Sequence, residues 1–410
     1  MERYKFRLIH IPIFLLLLYC FVAIFFTPIC GDELFFHYPN TQNISFSQII
    51  NNHTTYSSAY TPLPYILGSV VYKINGTIYV LRLLNYLILI ILCFFIYKIA
   101  QHLKFDPLLL VLLIISNPYL IVSSFTYYMF NYGLLFTIIG IYYYFFSNFK
   151  YRQIISHLFF GLAILSQQWM LVVIFALFLN EIMQLYKKEI SKKDFFNKLL
   201  LKVIFLLPAL ALFYQWGGLT HPNFEHHTLK SSFEHLNAFL ANIGFAGIFL
   251  ALYKFKKVLK FEYLPLLFII PMFYFSIPLH SQSNGPEVST GLAAQLSIQI
   301  HRFFFFPYQI NMLVLIILGV VSLIMIILKN ENSFSSFLKY AILGFATVFS
   351  ISTIVGAIHI FLCIPFFFLI FSTELKENKL LVRIVTVQMY LTSIFYIIYW
   401  SFMVAKGQYL

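Results

Sequence analysis

The sequence is poor in charged residues, which occupy 10% of its 410 positions, against about 25% in a soluble globular chain. Only 14 residues are acidic and 27 are basic, so the formal net charge is +13. Hydrophobic residues reach 61%, and the mean hydropathy is +0.85. A soluble core could not bury so much apolar surface in a chain of this length. The scarcity of charge therefore excludes a soluble globular protein and predicts an all-α polytopic membrane protein.

Cysteine is also scarce, and its placement excludes the usual metal and disulfide patterns. Three of the four cysteines lie inside hydrophobic runs, and their spacing fits neither a disulfide framework nor a zinc site. A group of histidines with one glutamate also matches no standard zinc pattern; its members are His221, Glu225, His226, His227 and His235. We therefore expect no metal and no cofactor.

The basic residues predict the orientation of the chain rather than affinity for nucleic acid. In membrane proteins Lys and Arg concentrate in short cytoplasmic loops. With the N-terminus inside, all but five of the 27 basic residues fall on the inner side; the five outer ones are Lys73, Arg82, Lys230, Arg302 and Lys406. We predict a cytoplasmic N-terminus, the lipid bilayer as a partner, and no nucleic-acid partner.

The hydrophobic runs predict one integral membrane domain over 1–410, with about 11–13 transmembrane helices. The predicted helices cover about 8–28, 77–99, 108–125, 127–146, 154–167, 169–186, 203–217, 237–253, 262–278, 308–328, 340–355, 357–371 and 384–404. Asn117-Pro118 and Gln167-Gln168 interrupt two of the runs. The Lys-rich stretch 187–202 is either a topogenic loop or a short amphipathic surface helix.

Three long loops fall on the predicted outer side, at about 29–76, 218–236 and 279–307. They hold most of the chemically unusual polar residues, whereas the inner loops are short and basic. We therefore expect the function to lie on the extracytosolic face, with short interfacial helices in the outer loops.

An acidic pair, Asp32 and Glu33, directly follows the first hydrophobic run. Carboxylates at a membrane boundary are costly to place there, so they are functional candidates by default. The alternative is a solvated loop start that only ends the helix.

A proline-rich segment and an arginine follow the acidic pair in the same predicted loop. Neither Pro62 nor Pro64, in the segment Tyr60-Thr-Pro-Leu-Pro-Tyr65, can continue a preceding helix, which predicts a rigid re-entry into the membrane. Arg82 lies about one turn inside the next hydrophobic run. It either extends to the outer interface or meets a buried anion.

These motifs, in this order, resemble the GT-C superfamily of membrane glycosyltransferases. The resemblance covers about residues 1–90: a first helix, the acidic pair, "YTPLPYILGSVVYKING" at 60–76, and "YVLRLLNYL" at 79–87. It implies a GT-C-like helical bundle that takes a sugar from a polyprenyl- or dolichyl-phosphate carrier on the periplasmic or lumenal side. It also implies that the acid after the first helix is the general base or a close helper.

Within that superfamily, "DELFFH" at 32–37 resembles the start of the α-1,2-glucosyltransferases that use dolichyl-phosphate-glucose. The match needs a one-residue shift of His37, which is a rotation of about 100° on an α-helix. Thr61-Pro-Leu-Pro64 replaces the Thr-Thr-Pro-Pro of those enzymes. Protein O-mannosyltransferases and lipid A aminoarabinose transferases resemble the N-terminal region equally.

The chemistry of such a transfer assigns roles to these residues. A lipid-phosphate sugar already carries a good leaving group, so the enzyme needs a base for the acceptor hydroxyl. We predict Asp32 as that base and Glu33 as the second choice. His37, Tyr60, Pro62 and Pro64 are predicted to shape the acceptor side of the loop.

Cationic or hydrogen-bonding side chains on the same face would stabilise the departing phosphate. Arg302, next to His301, is the first candidate, with an interfacial anchor as its alternative role. Arg82 is the second, with structural pairing as its alternative. Lys230 and His359 follow; His359 lies where several members of the superfamily carry an Arg-Tyr pair.

The sequence therefore predicts a hexosyltransferase-like enzyme that modifies a lipid-linked glycan, a lipid or a protein. The alternative from another class is a transporter or flippase for a lipid-linked or small polar substrate. Transporters place ionisable residues in broken mid-membrane helices, often within repeated halves. Here the ionisable residues lie mainly at the predicted outer ends and no repeat is visible, which favours the enzyme.

Overall fold

The computed structural model describes residues 8–31, 33–45, 60–223, 233–258, 304–329, 332–351 and 362–405, with the single residues 47, 49, 58, 293, 297, 298, 300 and 301. Within these residues the chain forms 17 α-helices and no strand. The all-α fold predicted from the sequence is therefore confirmed. The predicted helix 262–278 and residues 279–292 of the predicted outer loop 279–307 lie outside the described residues.

The first ten helices are α1 His10–Phe26, α2 Tyr38–Asn43, α3 Leu63–Asn75, α4 Ile78–His102, α5 Pro107–Ile115, α6 Pro118–Phe125, α7 Phe130–Ile141, α8 Arg152–Ser166, α9 Leu171–Tyr186 and α10 Lys192–Trp216. The later ones are α11 Phe233–Ala246, α12 Ile248–Val258, α13 Tyr308–Ile327, α14 Ser333–Ile351, α15 Ile364–Ile370, α16 Ser372–Glu377 and α17 Lys379–Ala405. Two π-helical turns, Glu33–His37 and Tyr142–Phe146, precede α2 and follow α7.

Six of the described helices are long and apolar enough to cross a membrane, and two bent pairs raise that number to eight. Three shorter apolar helices, among them α1 with 17 residues, accompany them. The prediction of a polytopic membrane protein is confirmed. The predicted total of 11–13 spans includes stretches outside the described residues, and it stays a prediction.

The chain forms two compact units. Unit 1 comprises Met1–Ile174, Ser191–Glu225 and Thr386–Leu410. Unit 2 comprises Phe175–Ile190 and His226–Val385. The acidic pair, the proline-rich segment and Arg82 all belong to unit 1.

The predicted interruption at Asn117-Pro118 is a sharp break in the structure. Helices α5 and α6 meet there at 76°. The side-chain oxygen of Asn117 accepts the backbone N–H of Tyr119 and so caps α6, while Pro118 occupies its first position. A second predicted helix, 237–253, was wrong as a single element: α11 and α12 are separated at Gly247 and bent by 80°.

The Lys-rich stretch 187–202 is a short loop over 187–191 followed by helix, and it contains no separate surface helix. From Lys192 onward it forms the first turns of α10, which continues without a break to Trp216. The hydroxyl of Ser191 accepts the backbone N–H of Asp194 and donates to its carboxylate, so this pair caps a helix that begins eleven residues before the predicted start at 203.

Glycines allow the helices of unit 2 to touch backbone to backbone. A Cβ on Gly244 of α11 would lie 1.9 Å from the carbonyl oxygen of Leu315 on α13. A Cβ on Gly319 of α13 would lie 2.0 Å from the carbonyl oxygen of Leu240 on α11. Small residues at such crossings are typical of membrane helices, whose association depends on close packing.

We predict that Gly244→Ala and Gly319→Ala each lower the free energy of unfolding by about 1–3 kcal/mol, because the new methyl group meets a carbonyl that cannot move away. Thermal unfolding in detergent, followed with a thiol-reactive dye that reaches the buried Cys363 only on unfolding, measures the change. Gly218→Ala is the control, since no atom lies within 4 Å of its Cβ position. Equal midpoints for all three variants would contradict this packing.

Candidate functional site

Arg82, near the start of α4, uses all five of its N–H groups in unit 1. Its Nε donates to Glu33 Oε1 at 2.7 Å, and its Nη2 donates to Glu33 Oε2 at 2.6 Å and to the carbonyl oxygen of Pro28 at 3.1 Å. Its Nη1 donates to the carbonyl oxygens of Ile24 at 3.0 Å and Thr27 at 2.7 Å. The guanidinium therefore binds a carboxylate and the C-terminal end of α1 together.

One cation, the guanidinium of Arg82, thus binds two negative groups: the Glu33 carboxylate and the carbonyl end of α1. The last carbonyls of a helix have no partner inside it and carry the negative end of its dipole. The side chains of Arg82 and Glu33 are both 0% exposed, and their contact is bidentate. Because no N–H of Arg82 remains for another acceptor, the geometry favours the structural pairing over the predicted binding of donor phosphate.

Glu33 is held from a second side by the turn that follows α6. Its Oε1 also accepts the backbone N–H of Tyr127 at 2.7 Å. A fully buried carboxylate that binds three N–H groups is closed to an acceptor hydroxyl, so the geometry favours a positioning role over the predicted catalytic one. Asp32, the first choice for the base, lies outside the described residues.

Asn85, one turn after Arg82 on α4, caps a second helix in the same way. Its amide Nδ2 donates to the carbonyl oxygens of Ser123 at 3.0 Å, Thr126 at 2.8 Å and Tyr128 at 2.8 Å, at the end of α6. Sequence reasoning did not single out this residue. The available signal was a polar side chain three positions after an arginine, inside an apolar run.

Tyr127, in the turn after α6, also binds the segment that follows the acidic pair, through the hydroxyl group of its side chain. This hydroxyl donates to Thr41 Oγ1 at 2.9 Å, and Thr41 donates in turn to the carbonyl oxygen of His37 at 2.9 Å. A Cβ on Gly68 would lie 1.8 Å from the Tyr127 hydroxyl, so only glycine leaves room for this ring. Tyr127 thus fixes the segment at both Glu33 and Thr41.

The segment itself begins as the π-helical turn Glu33–His37, whose ends face the protein. Glu33 is 0% and His37 2% exposed, whereas the three side chains between them are exposed and apolar. A π-helical turn contains one residue more per hydrogen-bonded ring than an α-helix and often marks a functional site.

His37 lies among tyrosine rings. Its Nδ1 is 2.9 Å from the hydroxyl of Tyr65. The centroids of Tyr60, Tyr65 and Tyr128 lie 5.6, 5.9 and 5.1 Å from the centroid of the imidazole. Within the described residues its Nε2 is buried and has no hydrogen-bond partner. Burial lowers the pKa of His37 to about 3, because the charged form would lose its hydration.

The proline-rich segment forms the wall beside His37. Pro62 precedes α3 and Pro64 is buried in its first turn, where a missing N–H is tolerated. The hydroxyl of Thr61 donates to the carbonyl oxygen of Ile164 at 2.8 Å. Tyr60 is buried and packs edge-on against Phe130.

The remaining candidates are only partly within the described residues. His301, in unit 2, is exposed, and its Nδ1 lies 3.1 Å from the carbonyl oxygen of Phe306. Arg302, Lys230 and His359 lie outside the described residues. In the part of the chain that the structure describes, no three His, Cys, Asp or Glu side chains are placed to hold a metal ion.

We predict that Arg82→Met lowers the free energy of unfolding by about 3–5 kcal/mol, because it leaves the Glu33 carboxylate buried without a cation. The double variant Arg82→Met with Glu33→Met should be more stable than Arg82→Met alone, since neither charge remains. Thermal midpoints measure both effects, and Arg383→Met, at an exposed position, is the matched control. A midpoint for Arg82→Met equal to that of the control would contradict the role of the ion pair.

We predict that stability falls as the pH drops from about 6.5 toward 3, in part through His37. The folded pKa of about 3 lies below the unfolded value of 6.5, so in this window the unfolded chain binds a proton that the folded chain does not. Above pH 6.5 this contribution is constant. Its limiting slope is about 1.4 kcal/mol per pH unit for one proton.

The His37 component is measured as the difference between the wild-type and His37→Gln midpoints across this window. Gln does not titrate, so the difference should shrink toward low pH. Parallel profiles for wild type and His37→Gln would show that His37 does not contribute.

The chain matches no protein-family model, and no curated protein or solved structure is significantly similar to it. The resemblance to the GT-C superfamily therefore depends on short motifs and their order, and membership stays a prediction. What the chain does has to be argued from the chemistry around Glu33, Arg82 and His37.

Proposed function

We propose that the chain is a membrane glycosyltransferase that moves a sugar from a polyprenyl- or dolichyl-phosphate carrier to a glycan, lipid or protein acceptor. The observation that carries the proposal is the buried Glu33–Arg82 pair. It attaches the residue next to Asp32 to the C-terminal end of α1. A base needs a fixed position relative to its substrate, and Glu33, which adjoins the proposed base in the sequence, is itself anchored.

In this proposal Asp32 accepts the proton of the acceptor hydroxyl. The acceptor oxygen attacks the anomeric carbon while the bond from that carbon to the phosphate oxygen breaks, and the bonding electrons leave with the carrier phosphate. The configuration of the sugar is inverted. Arg302, with His301, Lys230 and His359 as further candidates, stabilises the departing phosphate. Arg82 is left out of this step because all its N–H groups already donate to carboxylate and carbonyl oxygens within the fold.

The one-residue difference in "DELFFH" is compatible with this function. The match with the α-1,2-glucosyltransferases requires one additional residue between the acidic pair and the histidine. A π-helical turn accommodates one extra residue, and such a turn occupies Glu33–His37. This supports the comparison of His37 with the histidine of that motif.

The proposal places the reaction on the extracytosolic face, at the periplasmic or outer surface of a bacterial membrane or in the lumen of the endoplasmic reticulum. The distribution of Lys and Arg supports this orientation, because it leaves most basic residues on the cytoplasmic side. Glu33 and Arg82 then lie at the outer end of α1.

A transporter or flippase is the second candidate, and the two bent helix pairs are the observation that favours it. In transporters the unwound backbone at such breaks coordinates ions. At the α5–α6 break, however, protein groups take the polar backbone: Ser393 donates to the carbonyl oxygen of Ser116, and Asn117 caps α6. Because these backbone groups are already hydrogen-bonded within the protein, the α5–α6 break favours the enzyme over the transporter.

We predict that Asp32→Asn lowers the turnover number by about 100-fold or more, because general-base catalysis contributes that much. The purified protein in lipid nanodiscs is incubated with a panel of polyprenyl-phosphate sugars, and release of the carrier phosphate is followed. Asp106→Asn is the matched control, because Asp106 caps α5 and Asn caps equally well. Near-normal transfer by Asp32→Asn would reject Asp32 as the base, and transport of a panel member without transfer would favour the second candidate.

A further inference from the structure

His37 has a buried polar atom for which the described part of the chain supplies no hydrogen-bond partner. The residue is 2% exposed, and within the described residues its Nε2 has no hydrogen-bond partner, although Nδ1 is held by Tyr65. Buried polar atoms in folded proteins are nearly always bonded, so an orphan calls for an explanation such as a ligand or an ordered water molecule. Apolar side chains would fill this place without that penalty.

The hydroxyl groups beyond Nδ1 indicate which nitrogen of His37 carries the proton. The backbone N–H of Tyr60 donates to Ser58 Oγ at 3.0 Å, and Ser58 Oγ lies 2.6 Å from the hydroxyl of Tyr65. If Ser58 donates to Tyr65, and Tyr65 donates to Nδ1, the hydroxyl protons of both Ser58 and Tyr65 lie in hydrogen bonds. His37 is then a neutral imidazole with its proton on Nε2.

A neutral donor suits a neutral acceptor. The low pKa of His37 keeps it uncharged at physiological pH, so it offers a hydrogen bond without a countercharge for an anion. Arg82, whose partner Glu33 is four residues before His37, has no N–H left for an anion either. A phosphate would therefore find little compensation here, whereas a hydroxyl or ether oxygen needs only the one donor.

The surroundings of His37 suit a ring with apolar faces. Three tyrosine rings lie within 5.9 Å of the imidazole centroid. Ligand sites that combine aromatic walls with one or two placed polar groups bury apolar ligand faces and orient the ligand through the polar groups. A pyranose ring presents C–H faces and neutral oxygens together.

We propose that His37 donates a hydrogen bond from Nε2 to a neutral oxygen of the transferred sugar, with Tyr65 and Ser58 as positioning residues that hold the donor tautomer. The ligand follows from the proposed function; the role of His37 as a neutral donor rather than a base or a phosphate ligand is the new element. His37 thereby distinguishes a sugar-loaded carrier from a bare one.

Two substitutions separate the two nitrogens of His37. Gln places its amide nitrogen near the position of Nε2 and retains a donor toward the ligand. Asn places its polar atoms near Nδ1 and retains only the bond to Tyr65. The proposal expects His37→Gln to keep sugar recognition and His37→Asn to lose it, whereas a structural role through Tyr65 expects the reverse order.

The experiment compares binding of polyprenyl-phosphate glucose, polyprenyl-phosphate mannose and bare polyprenyl phosphate to the protein in nanodiscs free of glycoside detergents. We expect wild type to bind at least one loaded carrier about 10-fold more tightly than the bare one. His37→Asn should reduce this ratio to near one, and His37→Gln should retain most of it. The dissociation constant of the bare carrier should not change.

Tyr65→Phe gives a second test if His37→Asn does not fold, as judged by the dye assay. It removes the donor to Nδ1 and should lower the ratio while the bare carrier binds normally. A ratio that is the same in wild type, His37→Asn and Tyr65→Phe overturns the proposal and leaves Nε2 to a water molecule. A wild-type ratio near one for both sugars overturns it as well.

These outcomes separate the inference from the proposed function. Sugar-dependent binding that requires His37, without any transfer, supports the role of His37 and rejects the transferase. Transfer with an unchanged donor Michaelis constant in His37→Asn rejects the role of His37 and leaves the transferase standing.

Discussion

The guanidinium of Arg82 is the group on which the N-terminal part of unit 1 depends. It connects α4 to the carbonyl end of α1 and to Glu33, and Glu33 connects both to the turn after α6. A helix end that is buried away from water must find a hydrogen-bond partner inside the fold. Glu33, the segment that follows it and the surroundings of His37 are placed by this one arrangement.

The same device recurs in unit 2 with lysines. Lys339 donates to the carbonyl oxygens of Ile327 and Lys329 at the end of α13. Lys329 donates to the carbonyl oxygen of Ile370 at the end of α15 and pairs with Glu374 at 2.6 Å. Cations near helix C-termini are stabilised by the helix dipole. Some of the basic residues that indicate membrane orientation therefore also close helix ends.

The sequence predicted a helix boundary where residues within one turn of it determine the boundary. Asn117 and Pro118 predicted the α5–α6 break, because an amide cap and a proline both act within one turn of the helix end. The break at Gly247 was missed, and the contact made there is tertiary: a Cβ would lie 2.6 Å from the ring of Phe367, so a glycine fits this place. A lone glycine in an apolar run looks the same whether it breaks a helix or continues it.

By itself, the sequence determined the all-α membrane class, through composition, and the residues worth attention: Glu33, His37, Tyr60 and Arg82. Only the tertiary structure decided which groups they contact, because the Glu33–Arg82 contact joins positions 49 apart and Tyr127 reaches Glu33 across 94. An arginine near a membrane boundary is equally suited to a phosphate, an interface or a buried acid. Which of these it meets depends on how several helices pack, and that packing assigned its five donors to the protein itself.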